Sequence, residues 1–182
     1  LSDGSRVGIF LGSATGLGTT PTWSGESNQA SAALGRAVST AGDVNADGYG
    51  DVVVGAPGFS NGQASEGRGF LYLGSATGLG TTAGWGAESD QASAGFGTSV
   101  ANAGDVNGDG YADVLLGAAQ STNGASVYLG GPTGLGTNPS WTGPSNQAGS
   151  YFGNFVSSAG DVNADGYGDV VVGEHGYSNG ET

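Results

Sequence analysis

The feature that most limits what this chain can become is a nine-residue segment that it contains three times. It reads DVNADGYGD from Asp43 to Asp51, DVNGDGYAD from Asp105 to Asp113 and DVNADGYGD from Asp161 to Asp169. Each copy places side-chain oxygens at its first, third, fifth and ninth positions, with Gly at the sixth, where the chain must turn sharply around whatever those oxygens face. A hard cation takes about six to eight oxygen ligands in a flexible geometry, and carboxylates on alternate residues of a tight loop can converge on one point. The expected ligands are Asp43, Asn45, Asp47 and Asp51 with the backbone carbonyl of Tyr49, then Asp105, Asn107, Asp109 and Asp113 with Tyr111, and Asp161, Asn163, Asp165 and Asp169 with Tyr167. The implied cofactor is Ca2+, about one ion per loop and three per chain. An EF-hand opens in the same way but needs an acid at position 12 and a helix on either side. Position 12 here is Val54, Leu116 or Val172, inside short aliphatic runs ending in Gly that read as strands. The plainer alternative, a solvated Asp-Gly turn between strands, accounts for only two residues of each segment.

Around these loops the chain is a set of aligned repeats. RVGIFLGSATGLGTTPTW from Arg6 to Trp23 matches GFLYLGSATGLGTTAGW from Gly69 to Trp85 and SVYLGGPTGLGTNPSW from Ser126 to Trp141. Each gives an apolar strand, a Gly-rich turn and a short outer strand at the Trp. Gln29, Gln91 and Gln147 follow, and then LGRAVSTAGD, FGTSVANAGD and FGNFVSSAGD run into the loops. One unit is therefore four strands with short connections and no helical pattern, which makes an antiparallel sheet. The loops are spaced by 62 and then 56 residues, and the six-residue difference falls in the surface connection between Gly55 and Gly74. A sheet of this kind has two faces to cover, so neighbouring sheets must supply the packing surface. Radial repetition then gives an all-β propeller of four-stranded antiparallel blades.

Composition narrows the function. Three Arg, no Lys and 16 acids give a formal charge of −13, which makes an electrostatic grip on nucleic acid implausible. Nine of those acids lie in the three loops, and one calcium in each would bring the balance to −7, an ordinary soluble surface. There is no Cys for a disulfide framework, no Lys for a phosphate loop, and no apolar run long enough to span a membrane. No charged and apolar leader opens the chain, and Leu1 in place of Met suggests a processed or excised chain.

With these residues in view, the chain resembles the FG-GAP repeats of integrin α-subunit propellers and their bacterial relatives. The opening pairs are Leu34-Gly35, Phe96-Gly97 and Phe152-Gly153, and the closes are Gly55-Ala56-Pro57, Gly117-Ala118-Ala119 and Gly173-Glu174-His175. Opening and closing Gly are 20 residues apart in all three. The resemblance implies four-stranded blades, calcium in the loop between the first and second strands of each, and service as a binding or adhesion platform. Calcium loops of extracellular modules bind at roughly 0.1 to 1 mM, which places such a protein outside the cell or on its surface.

The repeats also predict an unusual division. GYSNGET from Gly176 to Thr182 aligns on GFSNGQA from Gly58 to Ala64, and Leu1 aligns with Gln63. The expected segments are residues 1–32 as the outer strands of a split blade, 33–94 and 95–150 as whole blades, and 151–182 as the inner strands of the split blade. Propellers generally need about four to eight blades, so a second chain is expected to complete a six-bladed ring as a homodimer. A fragment cut from a longer array should instead aggregate through its open edges.

The leading expectation is a non-catalytic, calcium-stabilised module for extracellular protein interaction, adhesion or self-assembly. A carbohydrate-binding propeller would use Trp23, Trp85 and Trp141 as stacking platforms beside Gln29, Gln91 and Gln147, although repeated Trp residues suit packing between blades better. An accessory domain of a secreted enzyme is the third reading. GFSNG at Gly58 and GYSNG at Gly176 match a nucleophile-elbow pattern, but no helix follows Ser60 or Ser178, and His175 is the only His.

Overall fold

The computed structural model describes residues 4–144, 147 and 149–179. Leu1, Thr182 and Gly180, which carry the head-to-tail alignment, lie outside the described residues.

Among the described residues the regular structure is all strand. The chain begins with β1 (Arg6–Ile9), the two-residue strands β2 (Gly12–Ser13) and β3 (Gly16–Leu17), and β4 (Trp23–Glu26). A first whole sheet follows, with β5 (Ala37–Gly42), β6 (Asp51–Ala56), β7 (Arg68–Tyr72) and β8 (Trp85–Glu88) paired antiparallel in chain order. The second is built from β9 (Ser99–Gly104), β10 (Asp113–Gly117), β11 (Asn123–Tyr128) and β12 (Trp141–Pro144), again in chain order and antiparallel. The chain ends in a pair, β13 (Phe155–Gly160) and β14 (Asp169–Gly173). Among the described residues strand β1 pairs with β4 alone, and β2 with β3 forms a small ladder at the tip of their turn.

The innermost strands lie side by side, β5 against β9 and β9 against β13, so the sheets are arranged radially. Alternation along each strand supplies both faces of each sheet. Val53 and Leu71 join Val100, Val114 and Leu116 in the core between the two whole sheets. On the other face of β6, Val54 and Ala56 pack with Val7 of β1. Leu115 and Val127 of the second sheet pack against Phe152, Val156 and Val170. Each core therefore belongs to two sheets, and no sheet has a core of its own.

The opening and closing glycines of each repeat are hydrogen-bonded partners. Gly35 N–H donates to the Gly55 carbonyl at 2.9 Å, Gly97 to Gly117 at 2.8 Å and Gly153 to Gly173 at 3.0 Å. A side chain at Gly55 or Gly117 would collide with the carbonyl of Gly97 or Gly153 in the following sheet. The missing side chains let successive sheets approach at their inner ends.

Candidate functional site

Each acidic segment is the connection between the first two strands of a sheet, and each begins at a β-bulge. The ladder loses register between Thr40 and Gly42, between Asp113 and Val114 opposite Gly104, and between Ser158 and Gly160. Gly42, Gly104 and Gly160 all have left-handed backbone, with φ of 81, 83 and 73°. That conformation suits Gly and tips the chain out of the sheet. Position six, at Gly48, Gly110 and Gly166, is left-handed too, with φ of 89, 90 and 92°. The sequence pattern exposed the second of these turns. The first was missed, although the Ala-Gly-Asp that marks it is repeated before every loop.

Within the first loop, the amide of Asp47 donates to Asp43 Oδ1 at 3.0 Å and Asn45 Oδ1 at 3.2 Å, while Asn45 Nδ2 donates to Asp47 Oδ2 at 3.0 Å. Gly48 N–H donates to Asp43 Oδ2 and Tyr49 N–H to Asp47 Oδ1. Asp109 with Asp105 and Asn107, and Asp165 with Asp161 and Asn163, repeat this arrangement. Positions one, three and five are thus gathered around one amide. Position nine stands apart as a buried anchor. Asp51 accepts from Val44 N–H at 2.9 Å and from Gly74 N–H at 2.8 Å, tying the loop to the turn beyond β7. Asp113 does the same with Val106 and Gly130.

This division shows in the electrostatics. Burial pushes the Asp51 and Asp113 carboxyls above their usual range, and the neighbouring Asp47 and Asp43, or Asp109 and Asp105, add to the push against the backbone bonds that oppose it. For Asp105, desolvation is outweighed by N–H donation from Gly110, Gly108, Asp109 and Asn107, so its carboxyl sits below the usual range. Asp161 is held low chiefly by the Gly166 amide. Among the described residues, no group of three or more acidic or His side chains forms a closed metal cage. The donor set is nonetheless entirely oxygen, which fits a hard divalent cation.

The repeated Trp and Gln residues join neighbouring sheets. Trp23 meets Tyr72 edge-on at 4.8 Å and donates its Nε1–H to the Gly80 carbonyl, and Trp85 meets Tyr128 at 4.9 Å and donates to Gly136. Gln29 exchanges two hydrogen bonds with the backbone of Ser60, and Gln147 does so with Ser178. Gln91 accepts from Thr122 and Ser121. These amides are engaged between blades, which leaves little for the hydroxyls of a sugar. His175 stacks on Tyr151 at 4.9 Å.

Radial four-stranded antiparallel sheets, each sharing its cores with the next, define a β-propeller segment, here with two whole blades and two half-blades. The FG-GAP repeat pattern matches residues 34–72, 96–134 and 152–182, and the chain belongs to that family. It is 34% identical to integrin alpha-4 of Xenopus laevis over 77% of its length and 31% identical to integrin alpha-6 of Gallus gallus over 72%. It is 38% identical to integrin alpha-PS5 of Drosophila melanogaster over 44%. The chain spans only 14, 12 and 9% of those relatives' own lengths. Among the described residues no helix is long and apolar enough to cross a membrane.

Proposed function

We propose that the chain is a non-catalytic, calcium-stabilised propeller module for extracellular protein interaction or adhesion. The observation that carries this reading is the recurrence of one acidic loop in one hydrogen-bonded form in three successive blade units. Family membership adds weight, since the relatives it matches are named as integrin α-subunits. In the first loop the ion would be held by Asp43, Asn45, Asp47 and Asp51 with the Tyr49 carbonyl, and the other two loops would use the corresponding residues. Bound calcium supplies the positive charge that three neighbouring carboxylates otherwise lack. At free calcium about a hundred times the dissociation constant, each site would add roughly 2.7 kcal/mol to folding. Three such sites would be a large share of a domain's usual margin of about 5 to 15 kcal/mol.

Calorimetric titration should find about three ions per chain, accompanied by a rise in Tm. Asp47→Asn should remove one site and about a third of the calcium-dependent rise, whereas Glu26→Gln, on the exposed face of β4, should change neither. A wild-type chain that takes up no calcium, or equal losses in the two variants, would sink the assignment.

A further inference from the structure

We propose that the three acidic loops fill cooperatively, because two peptide groups hydrogen-bonded in series join each loop to the one before it. This inference rests on the calcium reading above and concerns how its sites act on one another. The linking bonds run from backbone to backbone across a blade junction. Ala112 N–H donates to the Asp43 carbonyl at 3.1 Å, and Gly168 N–H donates to the Asp105 carbonyl at 2.7 Å. In both cases the eighth residue of one loop reaches the first residue of the preceding loop.

A peptide unit is rigid and planar, so the direction of its carbonyl fixes the direction of its N–H. The Ala112 N–H belongs to the same unit as the Tyr111 carbonyl, the proposed backbone ligand of the second loop. The Asp43 carbonyl belongs to the same unit as the Val44 N–H, which donates at 2.9 Å to Oδ2 of Asp51, the carboxylate that closes the first loop. Two peptide units in series therefore run from the position-seven ligand of the second loop to the position-nine ligand of the first. The same relay runs from the Tyr167 carbonyl through Gly168, Asp105 and Val106, whose N–H donates to Asp113 Oδ2 at 2.7 Å. Asp43 and Asp105 are also position-one ligands, so each relay fixes the main chain of one ligand and the carboxylate of another.

The packing between loops permits this close approach. A Cβ at the bulge residue Gly42 would come within 2.5 Å of the Ala112 side chain and 2.9 Å of Asn102 Nδ2. A Cβ at Gly168 would lie 3.0 Å from the Ala103 carbonyl oxygen and 3.2 Å from the backbone of Asp105. The second loop has Gly108 at position four, where the others have Ala, and a Cβ there would come within 2.8 Å of the Tyr167 ring. Val44, Asp51 and Asp113 are no more than 1% exposed, so water competes little at these ends of the relays.

With the Tyr111 carbonyl held on an ion in the second loop, the Ala112 N–H is held on Asp43, which orders Asp43 and Asp51 before the first loop fills. The ordering entropy is then shared between sites. Hydrogen bonds in series also strengthen one another where the local dielectric is low. Direct electrostatics acts in the opposite sense. An empty loop has charge −3 and a filled one −1, so an ion in one loop weakens the field that draws in the next. Salt screens that field over about 8 Å at physiological ionic strength, whereas a buried backbone bond is not screened.

Calcium titration at physiological salt, followed by amide NMR at Gly48, Gly110 and Gly166, reads each loop separately. In the wild type the loops should fill together, with a Hill coefficient above unity. Asp109→Asn, which empties the second loop, should weaken both the first and the third by at least about fivefold. Asp165→Asn should weaken the second loop by a similar factor and the first by less, since among the described residues no backbone bond joins the first loop to the third. Charge alone predicts the opposite sign, because the emptied Asn loop, at −2, is more negative than a filled loop and would leave its neighbours binding at least as tightly. Ala112→Pro keeps every proposed ligand but removes the N–H that reaches Asp43, and should uncouple the first loop from the second while the second stays coupled to the third. Asp109→Asn and Ala112→Pro are independent routes, so either suffices if the other misfolds. Wild-type loops that fill independently, or neighbours that bind undiminished beside an emptied loop, would overturn the proposal and leave the calcium assignment standing. A wild type that takes up no calcium would overturn both.

Discussion

The residues from Asp43 to Asp51 and from Asp161 to Asp169 are identical in sequence and nearly identical in internal hydrogen bonding. Their surroundings differ completely. Val44 is fully buried and Val162 is 73% exposed, and among the described residues the carboxylate that closes the first loop has two amide donors where that of the third has one. Local sequence thus sets the shape of the loop, while burial is supplied by whichever blade stands beside it. In an array of this sort, stability lies mostly in the junctions.

The largest consequence should come from removing one aliphatic side chain from each region, one buried in a junction and one on the open face of β14. Leu116 is fully buried in the junction between the whole blades, and Leu116→Ala should cost about 2 to 5 kcal/mol. Val171→Ala, at a side chain 53% exposed, should cost no more than about 0.5 kcal/mol. Denaturant midpoints would give both values. A similar loss at the two positions would mean that β14 is already covered, and the contrast between the regions would disappear.

A smaller effect should separate the closing carboxylates. In metal-free buffer, Asp113→Ala leaves the Val106 and Gly130 amides without their acceptor in a buried setting, which should cost about 1 to 3 kcal/mol. Asp169→Ala removes one bond among the described residues, at a more open site, and should cost about 0.5 kcal/mol. Equal costs would show that the junction adds nothing to the anchor. A further measurement tests burial at the same junction through pH. Desolvation pushes the Tyr128 hydroxyl up to about 12, so the folded state holds its proton above the ordinary phenol range. Its contribution is fully present below about pH 10 and is lost as pH rises toward 12. Tyr128→Phe should therefore flatten the alkaline fall of Tm between those values while leaving Tm at neutral pH nearly unchanged.

Much of this architecture was legible because it repeats. The period gave the blades, the aliphatic runs gave the second strands, and the equal placement of Trp23 and Trp85 pointed to packing between blades, which is where both rings lie. The site was legible as a set of oxygens but not as an arrangement. Nothing local shows that Asp51 is a buried anchor, because its second donor, Gly74, is 23 residues away across the sheet. The Gln bridges were missed for a related reason. Gln29, Gln91 and Gln147 all reach 31 residues ahead into the next blade, a constant offset that only an alignment of side-chain partners would reveal. The buried Glu66 occurs in one repeat, where no periodic signal exists, and the stacking of Arg68 over Phe59 and Phe70 is not repeated at its counterpart Arg6, where Gly8 stands in the place of Phe70.

The smallest expected difference concerns backbone conformation at position four of the loops. Ala46 and Ala164 have φ of 56 and 59°, in the left-handed region that disfavours a side chain, and the second loop has Gly108 at the same place with φ of 74°. Replacing either Ala by Gly relieves that conformation but gives the unfolded chain more freedom, so the net gain should be only about 0.5 to 1 kcal/mol. The two sites should report it differently. The first loop is locked between blades and opens only with the whole unit, so Ala46→Gly should raise the global Tm by a few degrees. The third loop belongs to a half-blade covered on one face, which can open before the rest. Ala164→Gly should therefore leave the global Tm almost unchanged while slowing amide exchange at Val162 and Tyr167. If both substitutions moved Tm equally, β13 and β14 would unfold with the whole blades, and the half-blade would be as firmly held as its complete neighbours.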